Sequence, residues 1–283
     1  MRRRVNRGSQ HIVRRFGDIM GLKDQVRYII PDQALSCLSD HFEVIGDIAV
    51  LSLPRSLAGY GCVLADAIIS RRHNIKTVLI KTSRISSYAR TAGYEIISGK
   101  ETVTVHHEYG FSYRLDVGTV FYNPRLASER KRVTEKISPN EKVLIPCCGV
   151  GPFVIPAAAR GASVVAVEKN PEACRYLAEN VQLNRVRDRV TILAGDAFDT
   201  TLLPACEFDR AVIPTPFGMD ALFDVISPRV RHGGMIHFYT FKNQHQADAM
   251  AAEFEKQGYD IAEKRACGNV APGVSRWVFD LMK

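Results

Sequence analysis

The chain has 283 residues, 46% hydrophobic and 24% charged, with 38 Lys and Arg against 30 Asp and Glu. This is the ordinary balance of a globular protein with a core large enough for one large domain or two modest ones. No run of 18 apolar residues occurs, which excludes a hydrophobic membrane-spanning helix, and the start lacks the apolar stretch of a secretory signal.

The formal charge of +8 is unevenly placed, since residues 1–17 hold six arginines (Arg2, Arg3, Arg4, Arg7, Arg14, Arg15) and no acid. Such an excess suggests a polyanionic partner without establishing one. Seven cysteines, at 37, 62, 147, 148, 174, 206 and 267, are scattered and odd in number. They form neither a disulfide framework nor zinc-ligand pairs, so a reduced, cytoplasmic protein is expected.

In chain order, residues 1–30 read as a basic extension with little fixed structure at its start. Pro31 precedes a short helix in DQALSC, and FEVIGDIAVLSL reads as strand with a turn at Gly46-Asp47. Pro54 starts a helix, residues 76–81 form a strand, and YEIISG and TVTVHHEYGFSYRLDV alternate as antiparallel strands. Residues 31–120 thus form a small α+β module. From about residue 121 the rhythm changes to strand, glycine turn, helix, strand, the spacing of βαβ units. Helices are expected at 127–137, 219–227 and 244–257, and SRWVFDLM is read as an edge strand. The expected fold of residues 121–283 is an α/β, Rossmann-like parallel or mixed sheet flanked by helices.

A cofactor site is suggested by three features in series. Gly149-Val150-Gly151 follows the apolar run Val143–Ile145, where paired glycines permit a tight turn and close backbone approach to a ligand. The next strand ends at Glu168, an acid suited to a ribose diol, and the third ends in Gly195-Asp196-Ala197. A turn and a helix cap would account for the glycines and Asp196 taken singly. A dinucleotide site would want a third glycine where Val154 stands, so the series suits S-adenosylmethionine better than NAD. Asn170-Pro171 opens a helix; Asn180 and Asn184 on it are open between surface, cap and ligand roles. Cys147 and Cys148 are read as small, partly buried side chains. No histidine pair has zinc spacing, and His106-His107 on a strand point to opposite faces. His237 is read as structural, and Tyr239 as a side chain that helps close the target side.

The blocks HHEYGFSYRLDVGTVFYNPRLASERKRV, CGVGPFVIPAAARGASVVAVEKNPEACRYLAENVQLN, GDAF and GGMIHFYTF occur together in this order. Over roughly residues 40–283 the chain resembles the archaeal–eukaryal tRNA (guanine-37-N1)-methyltransferase family and its relatives in wyosine biosynthesis. The resemblance implies a class I S-adenosylmethionine-dependent methyltransferase sheet and methylation of N1 of guanine 37 in tRNA. The sibling activities it leaves open are aminocarboxypropyl transfer and methylation of a tricyclic guanine derivative at the same position. It assigns proton removal to Glu129 and contact with the target guanine to Arg90. It places Tyr122, Pro124, Arg130, Cys148, Gly149, Gly151, Phe153, Glu168, Lys169, Asp196 and Ala197 at the cofactor. The partner implied is the tRNA anticodon stem-loop, with the small module helping to hold it. A monomer is expected, without metal, membrane or obligate protein partner.

Three departures from the family pattern stand out. Ile145 occupies the position of the usual acid before the glycine turn. Pro214-Thr215-Pro216 stands where an Asn-containing block is usual, so Pro214 replaces a pocket Asn. Only about 40 residues precede the resemblance, too few for the elbow-gripping domain many relatives carry, and the arginine-rich start is expected to substitute in part. Pro216 and Phe217 offer apolar or stacking contact to the base, with Phe217 otherwise a core residue. Arg71, Arg72, His73, Lys76, Lys81, Arg84, Arg125, Arg130, Lys131 and Arg132 extend the basic surface. For Glu129 the competing role is a helix-surface carboxylate, and for Arg90 a phosphate contact or plain solvation. A catalytically retired RNA-binding relative is the competing reading of the whole chain.

Overall fold

The computed structural model describes residues 21–83 and 93–283, so the arginines of residues 1–17, Arg84 and Arg90 lie outside the described part. Two short helices come first, α1 (Leu22–Val26) and α2 (Asp32–Leu35), then strands β1 (Glu43–Ile45) and β2 (Ile48–Leu51). Gly46, at φ +58°, makes the turn between them. A 3₁₀ turn over Arg55–Tyr60 leads into α3 (Gly61–Arg71), which crosses to β3 (Thr77–Lys81) and then β4 (Tyr94–Ser98). The sheet order is β1-β2-β3-β4, with β2 and β3 parallel and the outer pairs antiparallel. Leu22, Val26 and Ile30 are buried with Leu64, Ile68 and Val78 in one cluster. The packed chain therefore begins inside the stretch 1–30 expected as an extension.

Strands β5 (Val103–Glu108) and β6 (Phe111–Asp116) form a hairpin whose two turn residues, Tyr109 and Gly110, both have positive φ, the geometry that matches strand twist. The chain continues through α4 (Ala127–Glu135), β7 (Lys142–Pro146), α5 (Val154–Ala159), β8 (Ser163–Glu168), α6 (Pro171–Leu183), β9 (Val190–Ala194) and β10 (Phe208–Ile213). It ends with α7 (Leu222–Ile226), β11 (Val230–Lys242), α8 (Gln244–Lys256), β12 (Asp260–Ala271) and β13 (Val274–Met282).

The large sheet runs β12-β13-β11-β10-β7-β8-β9, parallel from β9 to β11, with β13 antiparallel between β11 and β12. This is the Rossmann-like arrangement with an inserted antiparallel strand. The edge belongs to β12, whose largely exposed, bulged pattern carries no apolar run and so gave no strand signal. β13, expected at the edge, is internal, and Trp277–Leu281 are buried accordingly. Successive residues of the central strands point to opposite faces. Val143 and Ile145 join one core layer with Val164 and Val212, while Leu144 joins the other with Ala211, Ile213 and Phe238. Ile145 is wholly buried, so the position of the usual acid is filled by core. The first layer also contains Ile48, Val50, Tyr113 and Leu115, making its packing continuous with the small sheet and the hairpin.

Two asparagines tie the hairpin to the large sheet. On α6, Asn180 Oδ1 accepts from the Arg114 amide (2.7 Å) and Asn184 Oδ1 from the Ser112 amide (2.9 Å). Their amide groups donate back to the Arg114 and Ser112 carbonyls, and Asn180 also reaches the Val150 carbonyl at 3.1 Å. Side chains four apart on one helix face thus satisfy β6 as a neighbouring strand would. His106 joins hairpin and small sheet, its Nδ1 accepting from the Gly46 amide at 3.2 Å. Among the described residues no helix is long and apolar enough to cross a membrane.

Candidate active site

The carboxyl ends of β7, β8, β9 and β10 open onto a cleft, the place where open α/β sheets bind ligands. Its floor is the turn after β7, where Cys147, Gly149 and Gly151 all have positive φ. Glycine has two different uses here. At Gly149 a Cβ would meet only the Phe121 carbonyl oxygen, at 3.8 Å, so the backbone faces open space. At Gly151 a Cβ would stand 2.5 Å from Leu177 Cδ1, so this glycine admits α6 against the turn. Gly151, expected to touch cofactor, is absent from the cleft wall.

Glu168, at the end of β8, accepts from the Gly149 amide through Oε2 (2.8 Å) and from the Lys169 and Asn170 amides through Oε1 (3.0 and 2.8 Å). The carboxylate is oriented by backbone alone; Oε1 is filled by its two amides, and Oε2 retains acceptor capacity for a ligand hydroxyl. Asp196 accepts from Lys169 Nζ at 2.8 Å and from the Phe198 amide at 3.1 Å. Lys169 and then that amide hold its carboxyl below the usual range. Lys169, Ala197, Cys148 and Phe153 line the same wall. Burial pushes the Cys148 thiol well up, which keeps it a thiol rather than a reactive thiolate.

The opposite wall comes from residues 121–130. Tyr122 and Arg130 line the cleft, but their polar ends point into protein. Glu108 accepts from Tyr122 Oη (3.0 Å) and Arg130 Nε (2.8 Å), and Arg130 Nη1 donates to the Asn123 carbonyl (3.0 Å). Arg130 is therefore a buried brace of the wall, its cation spent on Glu108. Pro124 lies in a 3₁₀ turn capped by Asn123 and does not line the cleft, contrary to expectation; Phe121, Asn123 and Leu126 do.

Glu129 is 2% exposed and does not line the cleft. Tyr239, which does, donates its hydroxyl to Glu129 Oε1 at 2.7 Å. The same carboxylate accepts from Arg132 Nε (2.9 Å) and Nη2 (2.6 Å), and Arg265 from β12 bonds its other oxygen. A surface role for Glu129 is thereby excluded. Burial and then the charge of Glu129 push the Tyr239 hydroxyl far up, so it stays protonated.

The network continues inward. Asp280 accepts from Arg132 Nη2 (3.1 Å), Lys136 Nζ (2.6 Å) and His237 Nδ1 (2.6 Å), while Glu263 accepts from Arg132 and Lys136, both at 2.8 Å. His237 Nε2 faces Arg210 Nη1 at 2.8 Å, and Arg210 Nε pairs with Glu141 at 2.7 Å. Because arginine can only donate, His237 accepts at Nε2 and carries its proton at Nδ1. Burial accordingly holds the His237 pKa below its ordinary value. Four carboxylates (Glu129, Glu141, Glu263, Asp280) face four cations (Arg132, Lys136, Arg210, Arg265) around a neutral His237, bolting α4 onto β10, β11, β13 and β12.

At the mouth stand Pro214, Thr215 and Pro216. Phe217 is 73% exposed and thus no core residue. Its ring meets that of Phe241, over which the guanidinium of the cleft-lining Arg276 sits; neither was singled out in the sequence. Arg130, buried, and Arg132, half-buried, leave the expected phosphate-binding surface because both are engaged in ion pairs. Arg125 pairs with Glu43 and Lys76 with Asp47, both at 3.0 Å.

A model of the TRM5/TYW2 methyltransferase domain matches residues 104–267. The chain belongs to this family. A model of the TYW2 N-terminal domain matches residues 22–102. Among curated family members, the tRNA (guanine(37)-N(1))-methyltransferase Trm5b of Pyrococcus abyssi is 35% identical over 75% of this chain and 63% of its own length. The chain thus spans less than two thirds of that relative. The Trm5b crystal structure superposes with a TM-score of 0.79, covering 89% of this chain and 78% of that one at 31% identity. A tRNA(Phe) (4-demethylwyosine(37)-C(7)) aminocarboxypropyltransferase of Methanocaldococcus jannaschii is 34% identical over 75% of this chain and 88% of its own. The Pyrococcus horikoshii TYW2 structure in complex with MeSAdo has a TM-score of 0.74 and 27% identity, covering 92% and 97% of the two chains.

Proposed function

We propose that the chain methylates N1 of guanine 37 in tRNA, using S-adenosylmethionine as methyl donor. The observation that carries this reading is the cleft with Glu168 fixed by backbone amides at one end and the Tyr239–Glu129 pair at the other. The relative Trm5b, named for that activity, supports it. Bound in the cleft, S-adenosylmethionine supplies a methyl group already activated by its sulfonium. The residues present suit it: Glu168 would accept from the ribose diol, Asp196 and Ala197 would border the adenine, and the turn at Gly149 would leave backbone open to the ligand. The protein's own task is to orient the base and remove its N1 proton. As the bond from N1 to the methyl carbon formed, the bond from that carbon to sulfur would break and leave a neutral thioether, while the N1 proton would pass to Tyr239 Oη and the Tyr239 proton to Glu129. Arg132 and Arg265 keep that carboxylate facing the hydroxyl. Arg90, outside the described residues, is assigned to guanine O6, where negative charge develops.

The small module, the monomeric state, the anticodon stem-loop as partner and a cytoplasmic location complete the proposal. Incubation with unmodified tRNA and mass analysis of its nucleosides tests the reaction. A guanosine methylated at N1, mapped to position 37, is the expected product. Any other modified nucleoside, or none, overturns the assignment.

A second reading, aminocarboxypropyl transfer at the same position, is favoured by Pro214 in place of the pocket Asn and by the match of residues 22–102 to the TYW2 N-terminal domain. Cofactor labelled separately on its methyl and carboxyl carbons decides between the two. Transfer of carboxyl label alone would replace methyl transfer as the activity.

A further inference from the structure

We infer that Asp220 is a positioning residue for the transfer, setting the loop that carries Pro214, Thr215 and Pro216 at a fixed distance from Tyr239. The inference rests on the methyl transfer proposed above and adds to it what holds the target base against the proton path.

Strand β10 ends at Ile213, the register partner of Phe238 on β11. Pro214, one residue further, therefore comes level with Tyr239, and both line the cleft. Beside it, the Thr215 amide (2.8 Å) and hydroxyl (3.3 Å) both donate to the Ile213 carbonyl. Pro214 and Pro216 have neither an N–H nor a polar side chain. This wall thus meets a base by shape, without a side-chain donor that could follow a base lying out of place. Where the wall stands is what places the base.

The loop runs on through Gly218, at φ +79°, and the cleft-lining Met219 to Asp220. Asp220 is joined to β11 at two points: Oδ1 accepts from Thr240 Oγ1 at 2.7 Å, and Oδ2 from Lys242 Nζ at 2.6 Å. Thr240 and Lys242 are two apart on one strand and share a face, whereas Tyr239, next to Thr240, points to the other. Leu222 and Phe223, at the start of α7, accordingly lie in the core layer of Phe238, and Tyr239 in the opposite layer. The loop therefore spans the end of the sheet from the cleft wall to the second layer, and Asp220 clasps it to the back of the strand that presents Tyr239. Asp220, Thr240 and Lys242 do not line the cleft, so Asp220 acts on the reaction through the wall. Proton transfer from N1 to Tyr239 needs hydrogen-bond reach, and a misplacement of about 1 Å costs about a hundred-fold in rate.

Single-turnover methyl transfer at saturating S-adenosylmethionine and tRNA reads this role. Asp220→Ala should slow it roughly ten- to hundred-fold, with the affinities for S-adenosylmethionine and tRNA unchanged. Thr240→Val, which opens half of the clasp, should slow it less, and Thr240→Ser, which keeps the hydroxyl, should restore the rate. This second pair carries the test should Asp220→Ala fail to fold. Combined with Tyr239→Phe, the loss from Asp220→Ala or Thr240→Val should shrink, because the hydroxyl against which the wall is set is gone. An unchanged rate in Asp220→Ala or Thr240→Val, or a Thr240→Ser as slow as Thr240→Val, overturns the role and leaves the methyl-transfer reading intact. Losses that multiply with Tyr239→Phe, or weakened binding with an unchanged saturated rate, overturn it in the same way. Wild-type protein that transfers no methyl to tRNA brings down that reading and the role of Asp220 with it, before any variant is compared.

Discussion

The two ends of the cleft are built in different ways. At the Glu168 end, one continuous stretch, residues 146–197, supplies turn, acid and second acid, and backbone amides hold the functional carboxylate. At the Glu129 end the parts come from α4, β11, β12 and β13, and every functional group is held by another side chain. The Arg265 contact to Glu129 alone bridges 136 positions. A backbone-held group needs only correct local folding, whereas a side-chain network fails as a unit when one member is lost.

Substitutions sharpen that contrast. The largest effect is expected from Asp280→Ala, which leaves the buried His237 and the half-buried Arg132 without their shared acid and takes a partner from the exposed Lys136. Removing one partner of a buried charge network costs about 3–5 kcal/mol, and urea unfolding should show it; a loss under 1 kcal/mol would mean the network is not a unit. Next comes Glu129→Gln. Single-turnover transfer to tRNA should fall by about 10²- to 10⁴-fold, with S-adenosylmethionine affinity retained. An unchanged rate removes Glu129 from the proton path. At the other end Glu168→Gln should weaken S-adenosylmethionine binding roughly ten-fold in calorimetry, with the unfolding midpoint little changed because the backbone turn persists. A large drop in stability there would erase the contrast between the two ends.

The smallest effect is a pH dependence shared between the hairpin and the network. Burial depresses the pKa of His106 and of His237 below the ordinary 6.5. As pH falls past 6.5, the unfolded chain takes up protons that the folded chain still refuses, so stability declines in that window. The contribution is fully present above it. Thermal unfolding between pH 7.5 and 5 should follow this slope, and His106→Gln should flatten part of it. A flat profile in both proteins would mean neither imidazole is held neutral.

Local pattern made much of this legible. The βαβ rhythm, the Gly149 turn, Glu168 and Asp196 follow from apolar runs ending in specific residues, because parallel strands carry their ligand groups at their carboxyl ends. The pair Asn180 and Asn184 was visible as a helix face, but its role was not, since nothing local says that a hairpin 66 residues earlier offers its edge. Strand β12 was illegible for a related reason. An edge strand bearing charges on both sides has no apolar alternation to read, and its Arg265 and Glu263 acquire meaning only through α4.

The amino-acid sequence by itself determined the family, the class of sheet, the donor end of the cleft and the candidate carboxylate at Glu129. The sheet class and the Gly149–Glu168 end follow from periodicity and turn chemistry along contiguous chain, while the family and the assignment of Glu129 are what the resemblance of its motifs implies. Tertiary structure alone decided that Glu129 meets the cleft through Tyr239, that Arg130 and Arg132 brace the wall through ion pairs, and that Phe217 stands exposed beside Phe241. The partner of a charge or a ring is fixed by distance in space, and residues up to 148 positions apart meet here.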